Sequence, residues 1–255
     1  MCVFFEVFVY LSYAFRCENR NSVCVEEEII LEAMFNPTLY ATRLNQAKGA
    51  DVIATSAGNY YEGVTQKEVE KFYNAMIKKA GNDPCPISYG LNSKLVKKDG
   101  KIYEQTYKIG GMYTEALEKI VYWLEKAQAV AQEPHKTTIG LLIKYYKSGD
   151  LRDFDAFNVS WVKDTASNVD FVNGFTEVYG DPLGYKASWE AVVNFRDKKA
   201  CERTQIISDN AQWFEDNSPV DQRFKKKEVK GVTAKVINVA VLAGDCYPAA
   251  PIGIN

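Results

Sequence analysis

Phe171-Val172-Asn173-Gly174-Phe175-Thr176-Glu177-Val178-Tyr179-Gly180-Asp181-Pro182 reads as a strand running into a turn. Aromatic and β-branched residues favour extended backbone as far as Tyr179, and Gly180-Asp181-Pro182-Leu183-Gly184 is dense in turn formers. A second strand-like run, Ser188 to Phe195, follows, so the two are expected to lie side by side. If Phe171 to Tyr179 is extended throughout, Glu177 and Tyr179 are two apart and project to one face. A carboxylate beside a phenol suits a site that holds an ammonium and polarises a carbonyl, because the phenol can donate to an oxyanion. The alternative is a partly buried Tyr on an edge strand with an exposed Glu.

Working towards the N-terminus, Phe154, Phe157 and Trp161 mark a short amphipathic helix. Before it, Leu117, Ile120, Val121, Leu124, Ala127 and Ala131 share a face at the helical period, giving a helix over 113–132 that Pro134 ends. A second helix with Ile139, Leu142, Ile143 and Tyr146 runs to Gly149, and the pair predicts a helical hairpin whose apolar stripe is core. Asn92 to Tyr107 alternates around Asp99-Gly100, a hairpin signal. Thr65-Gln66-Lys67-Glu68 has capping-box form and opens a helix broken at Gly81-Asn82-Asp83-Pro84. Asp51 to Ala57 reads as a short strand, and Glu26 to Phe35 as a helix stopping before Pro37.

Towards the C-terminus, Lys198 to Phe214 reads as one helix and Val232 to Leu242 as β-rich. Pro251-Ile252-Gly253-Ile254-Asn255 has the features of an edge strand, where proline costs no ladder bond and an extended peptide can add. A plain strand end beside a loop is the competing reading. Helices clustered before strands imply an α+β fold, helical segments packed with a β-core. The expected divisions are an unassigned segment 1–25, a mainly helical region with a hairpin over 26–150, and a β-rich region over 151–255.

Hydrophobic residues make up 47% and charged residues 25% of the 255, the balance of a globular protein. A formal net charge of −2 leaves no footprint for nucleic acid, and Lys225-Lys226-Lys227 is a solvated loop face between Asp221 and Glu228. Met1 to Phe15 is apolar but interrupted by Glu6 and too short to span a bilayer, which takes about 20 residues. The irregular spacing of Cys2, Cys17, Cys24, Cys85, Cys201 and Cys246 points to free thiols in a reducing, cytoplasmic setting.

Candidates for chemistry are few. Asp170, Glu177, Asp181 and Glu190 lie close together in sequence. His135 is the one histidine and is expected to be an exposed linker residue. Gly110-Gly111 lacks the pattern of a phosphate loop and is assigned to a turn. No Gly-x-Ser-x-Gly, His-Glu-x-x-His or Cys-x-x-Cys occurs. A catalytic zinc needs about three protein ligands and an open position, which this residue set cannot supply.

Asn59-Tyr60-Tyr61-Glu62-Gly63-Val64-Thr65, Ser88-Tyr89-Gly90-Leu91-Asn92-Ser93, Gly174 to Gly184 and Pro251 to Asn255 together resemble the dipeptidyl peptidase III family, closest to its Bacteroides-type bacterial members. The likeness runs in order from roughly Met34 onward and does not include residues before about Glu26. It implies zinc exopeptidases that release dipeptides from the free N-termini of short peptides. It also implies a two-lobed fold, a helical lobe carrying zinc over a lower lobe with a β-core, to which the substrate adds as an extended strand. The family signatures His-Glu-x-x-Gly-His and Glu-Glu-x-Arg-Ala-Glu do not occur here. The resemblance therefore implies an incomplete lower lobe, a fragment that binds no zinc and is inactive alone.

Carried over residue by residue, Glu177 matches the carboxylate that holds the substrate ammonium. Tyr179 matches the catalytic tyrosine that stabilises the tetrahedral intermediate. Pro251, Gly253 and Asn255 match the substrate-pairing strand, Trp161 a cleft tryptophan, and Glu190 an acidic position after the Asp-Pro turn. Ser188 stands where some relatives have Glu. The implied partners are short peptides with a free N-terminus, with neither nucleic acid nor membrane, and self-association through surface left uncovered. The alternatives are a non-catalytic peptide-binding module or a scaffold without ligand.

Overall fold

The computed structural model describes residues 29–36, 42–231 and 235–248. The apolar run Met1 to Phe15 and the strand expected over Pro251 to Asn255 lie outside them. The chain forms two compact units, Met1–Gly58 and Asn59–Asn255.

In the first unit, residues 29–35 are helical as expected. The strand expected over Asp51 to Ala57 is instead a turn. Asp51 Oδ1 accepts the backbone N–H groups of Ile53 at 3.1 Å and Ala54 at 3.0 Å, which curls the chain before any ladder can form. Among the described residues a single bridge, Thr42 with Ser56, gives the segment strand character.

The second unit opens with β1 (Tyr61–Glu62) and α1 (Gln66–Ala80). The capping box at Thr65 and Glu68 is complete, and Gly81 ends the helix at φ 68°. Strands β2 (Ser93–Lys98) and β3 (Lys101–Thr106) form the predicted hairpin. Asp99 and Gly100 both have positive φ, as a two-residue turn of matching twist requires. β1 pairs parallel to β2, giving a three-stranded sheet in the order β1-β2-β3.

Three helices follow: α2 (Thr114–Val130), α3 (His135–Ser148) and α4 (Leu151–Lys163). The antiparallel strands β4 (Val169–Glu177), β5 (Ser188–Arg196) and β6 (Ile237–Gly244) make a second sheet in the order β4-β5-β6. Between β5 and β6 the single expected helix is two, α5 (Lys198–Asp209) and α6 (Ala211–Asn217). Asn210 parts them: its side chain donates to the carbonyl of Ile206 at 2.7 Å while its own backbone leaves helical geometry.

The expected helical stripe is core in Leu117, Val121, Ile139, Leu142, Ile143 and Tyr146, which cluster with Phe154, Phe157, Phe171 and Phe175. That cluster joins α2, α3, α4 and β4, so the division expected at residue 150 falls inside one core. The architecture is α+β, helices on a β-core.

Candidate functional site

β4 ends at Glu177, and Tyr179 belongs to the following turn. The extended run expected to reach Tyr179 is thus two residues shorter, and strand alternation does not set its direction. A bulge between Phe175 and Glu177 disturbs the register there: Phe175 pairs with Trp189, but Glu177 pairs with Ser188. A bulge re-aims side chains at a strand end. Glu177 is partly buried, whereas Tyr179 is 77% exposed.

Glu190 lies opposite Gly174 on β4 and Gly244 on β6. It is buried, and its carboxylate accepts from the Thr176 hydroxyl and, at 3.0 Å, from the Cys246 thiol. The Cys246 thiol is pushed up to about 12, first by burial, then by the Glu190 hydrogen bond and the charges of Glu190, Glu177 and Asp245. Glu177, Glu190 and Asp245 therefore share the end of the second sheet where β4 and β6 finish. Asp245 also accepts from the Ser188 hydroxyl, which stands 3.2 Å from the carbonyl of Glu177. Such a gathering of negative charge suits a cation.

The other acidic candidates do not join this group. Asp181 is buried, and its carboxylate accepts the Tyr61 hydroxyl at 2.7 Å and the backbone N–H groups of Leu183, Tyr185 and Lys186. It fastens the turn to β1. Asp170 sits at the far end of β4, about 23 Å from Glu177 at the ~3.3 Å rise of a strand. There it accepts the indole N–H of Trp161 at 2.8 Å and lies 3.5 Å from Lys235 Nζ. The structure thus brings Glu177 and Glu190 together and leaves the anchored indole of Trp161 at the other end of the strand. Pro251, Gly253 and Asn255 lie outside the described residues.

His135 is no exposed linker residue. It is the first residue of α3, mostly buried, with Nδ1 3.4 Å from Asp164 and its ring edge-on to Phe171. A histidine so engaged is a structural residue, and the donor set does not fit a zinc ion. Among the described residues no three His, Cys, Asp or Glu side chains are grouped to hold a metal. Among them, too, no helix is long and apolar enough to cross a membrane.

Sequence reasoning missed Asp245, Cys246 and Thr176. Nothing in the spacing of Glu190 and Asp245 betrays their approach, which depends on the β5–β6 register.

"Nudix hydrolase 3" of Arabidopsis thaliana is 27% identical over 191 residues, covering 71% of this chain and 23% of that protein. "Dipeptidyl peptidase 3" of Dictyostelium discoideum is 28% identical over 192 residues, covering 74% and 26%. The chain thus spans about a quarter of the length of these curated relatives. The structure of DPP III from Caldithrix abyssi superposes over 80% of this chain and 38% of its own with a TM-score of 0.60, at 21% identity, a likeness of fold. The sequence pattern of Peptidase family M49 matches residues 50–255, from the end of the first unit through both sheets and the carboxylates around Cys246, and the chain belongs to that peptidase family.

Proposed function

We propose that this chain contributes the substrate-binding cleft of a zinc-dependent dipeptidyl peptidase, a hydrolase that releases dipeptides from short peptides with a free N-terminus. Glu177 holds the terminal ammonium, and Tyr179 donates its hydroxyl to the oxyanion at the attacked carbonyl. The observation that carries this reading is the meeting of Glu177, Glu190 and Asp245 at one end of the second sheet, where Ser188 bonds the Glu177 carbonyl and Asp245 and where Cys246 bonds Glu190, beside the turn that exposes Tyr179. Glu190, buried and doubly hydrogen-bonded, orients this end of the sheet rather than touching the peptide. Zinc belongs to motifs that these 255 residues do not contain. The proposal for the chain itself is therefore binding without turnover. A cytoplasmic setting agrees with the free thiols of Cys85, Cys201 and Cys246.

Titration calorimetry with a free-amine tetrapeptide and its N-acetylated twin tests this. A hydrogen bond to a charged partner is worth about 1.5–3 kcal/mol. Acetylation and Glu177→Gln should each weaken binding by roughly 10- to 100-fold and should not add. Equal affinity for the two peptides refutes the role of Glu177.

A further inference from the structure

We propose that Lys186 is a positioning residue, a buried pin by which α1 and the first sheet hold the turn bearing Tyr179 in place relative to Glu177. This rests on the role proposed above for Tyr179. Lys186 has none of its surface exposed. Its ammonium donates to the Tyr73 hydroxyl and, at 2.9 Å, to the Ser93 hydroxyl, and lies 3.6 Å from the Glu104 carboxylate. Tyr73 and Ser93 in turn donate to Glu104 at 2.8 Å and 2.6 Å. The ammonium also sits 4.6 Å from the centroid of the Tyr73 ring and 5.9 Å from that of Tyr61.

A lysine is costly to bury, and a well-packed apolar side chain in its place would cost less. What the charge provides here is direction. Lys186 lies in the segment that returns from the turn to β5, whereas its partners come from α1, β1, β2 and β3. Two further contacts grip the same segment: Ala187 N–H donates to Leu91 at 3.0 Å, and the Tyr185 ring stacks on Tyr73 at 4.6 Å. Tyr73 cannot retreat, because Gly90 packs so closely that a Cβ there would lie 2.8 Å from its ring. Glu177 is fixed by the second sheet while the turn after it is fixed by the first. Lys186 adds a buried cation to the contacts between the two frames, beside the Asp181 carboxylate that accepts from Tyr61.

The groups facing the ammonium are Tyr73 from α1, Tyr61 from β1, Ser93 from β2, Glu104 from β3 and Asp181 from the turn. Burial outweighs the two carboxylates and lowers Lys186 to about 8. Burial and the nearby carboxylates push both phenols far above their ordinary value. Lys186 is therefore the group of this set that titrates just above neutrality.

The test uses the full chain labelled with fluorotyrosine, the Tyr179 fluorine resonance being identified by its loss in Tyr179→Phe. In Lys186→Met, with a cooperative melt retained, that resonance should shift or split, and affinity for the free-amine tetrapeptide should fall about 10-fold. The resonance is compared at pH 6.5, where the exposed fluorophenol of Tyr179 stays protonated in both proteins. A Tyr179 resonance unchanged in folded Lys186→Met overturns the proposal. Should that variant not fold, Glu104→Gln is read by the same criterion. If the wild type binds neither peptide while the resonance responds, the cleft reading fails and the positioning role stands.

Discussion

The Cys246 thiol donates to the carboxylate of Glu190 across 3.0 Å, tying the chain just after β6 to the start of β5. Burial and three carboxylates hold that thiol at about 12, so almost none of it is thiolate at neutral pH. Alkylation followed by peptide mapping should find Cys85, which is exposed, modified readily at pH 8 and Cys246 untouched until the protein unfolds. Modification of native Cys246 at the rate of Cys85 would contradict the buried contact.

Asp164 links the end of α4 to the start of α3 through His135. Burial alone would raise its carboxyl. Hydrogen bonds from the Ser167 hydroxyl, the backbone of Ala166 and Ser167, and His135 outweigh burial and lower it to about 2. The unfolded carboxyl titrates near 3.8. The stabilisation is thus complete above that pH and is lost as pH falls through about 2. It amounts to about 2 kcal/mol at neutrality. Asp164→Asn should lose a comparable amount and flatten the acid limb of a denaturation-midpoint profile. An acid limb identical to wild type would show that another carboxylate governs it.

Lys186 gives a slope of the same sign at higher pH, from a charge that burial disfavours. Its proton is held less tightly in the folded chain, at about 8, than in the unfolded chain, at 10.5. Between those values mainly the unfolded chain is protonated, so stability rises with pH there. Below about pH 8 the buried charge costs about 3 kcal/mol. Tyr61 and Tyr73 resist ionisation when folded, so stability falls again above about pH 10. Urea midpoints of wild type minus Lys186→Met should climb between pH 8 and pH 10, and a flat difference would place the ammonium in water.

Local chemistry was readable in the sequence where it decides structure by itself. The capping box at Thr65, the turn at Asp99-Gly100 and the stripe from Leu117 to Tyr146 all depend on neighbours within a few residues. Asp51 and Asn210 misled because short polar side chains bonded their own backbone, overriding apolar pattern at one and helical continuity at the other. Of the site, the likeness around Glu177 and Tyr179 drew attention to the C-terminal end of β4. The carboxylate group itself was hidden, since Asp245 reaches Ser188 at the start of β5 only through strand pairing across the α5–α6 insertion. The burial of His135 was equally unreadable, because Asp164 and Phe171 come to it from other elements.

The second sheet carries apolar surface that nothing covers among the described residues. The cross-strand partners Val169 and Phe195, and Val193 and Val241, are 37–56% exposed, and Ile237 and Val239 on β6 are as open. β6 is an edge strand among the described residues, and no charge or proline interrupts Ile237–Gly244. Charge and proline are the usual devices that stop edge strands pairing between molecules. We predict that the chain self-associates through this edge, with sedimentation velocity showing weight that grows with concentration. Val241→Lys puts an ammonium on the exposed face of the edge strand, where solvation costs little and pairing would bury it. It should return the chain to a monomer without lowering its melting temperature by more than a few degrees. A wild-type chain that sediments as a monomer at every concentration would mean that this exposed sheet is no interface.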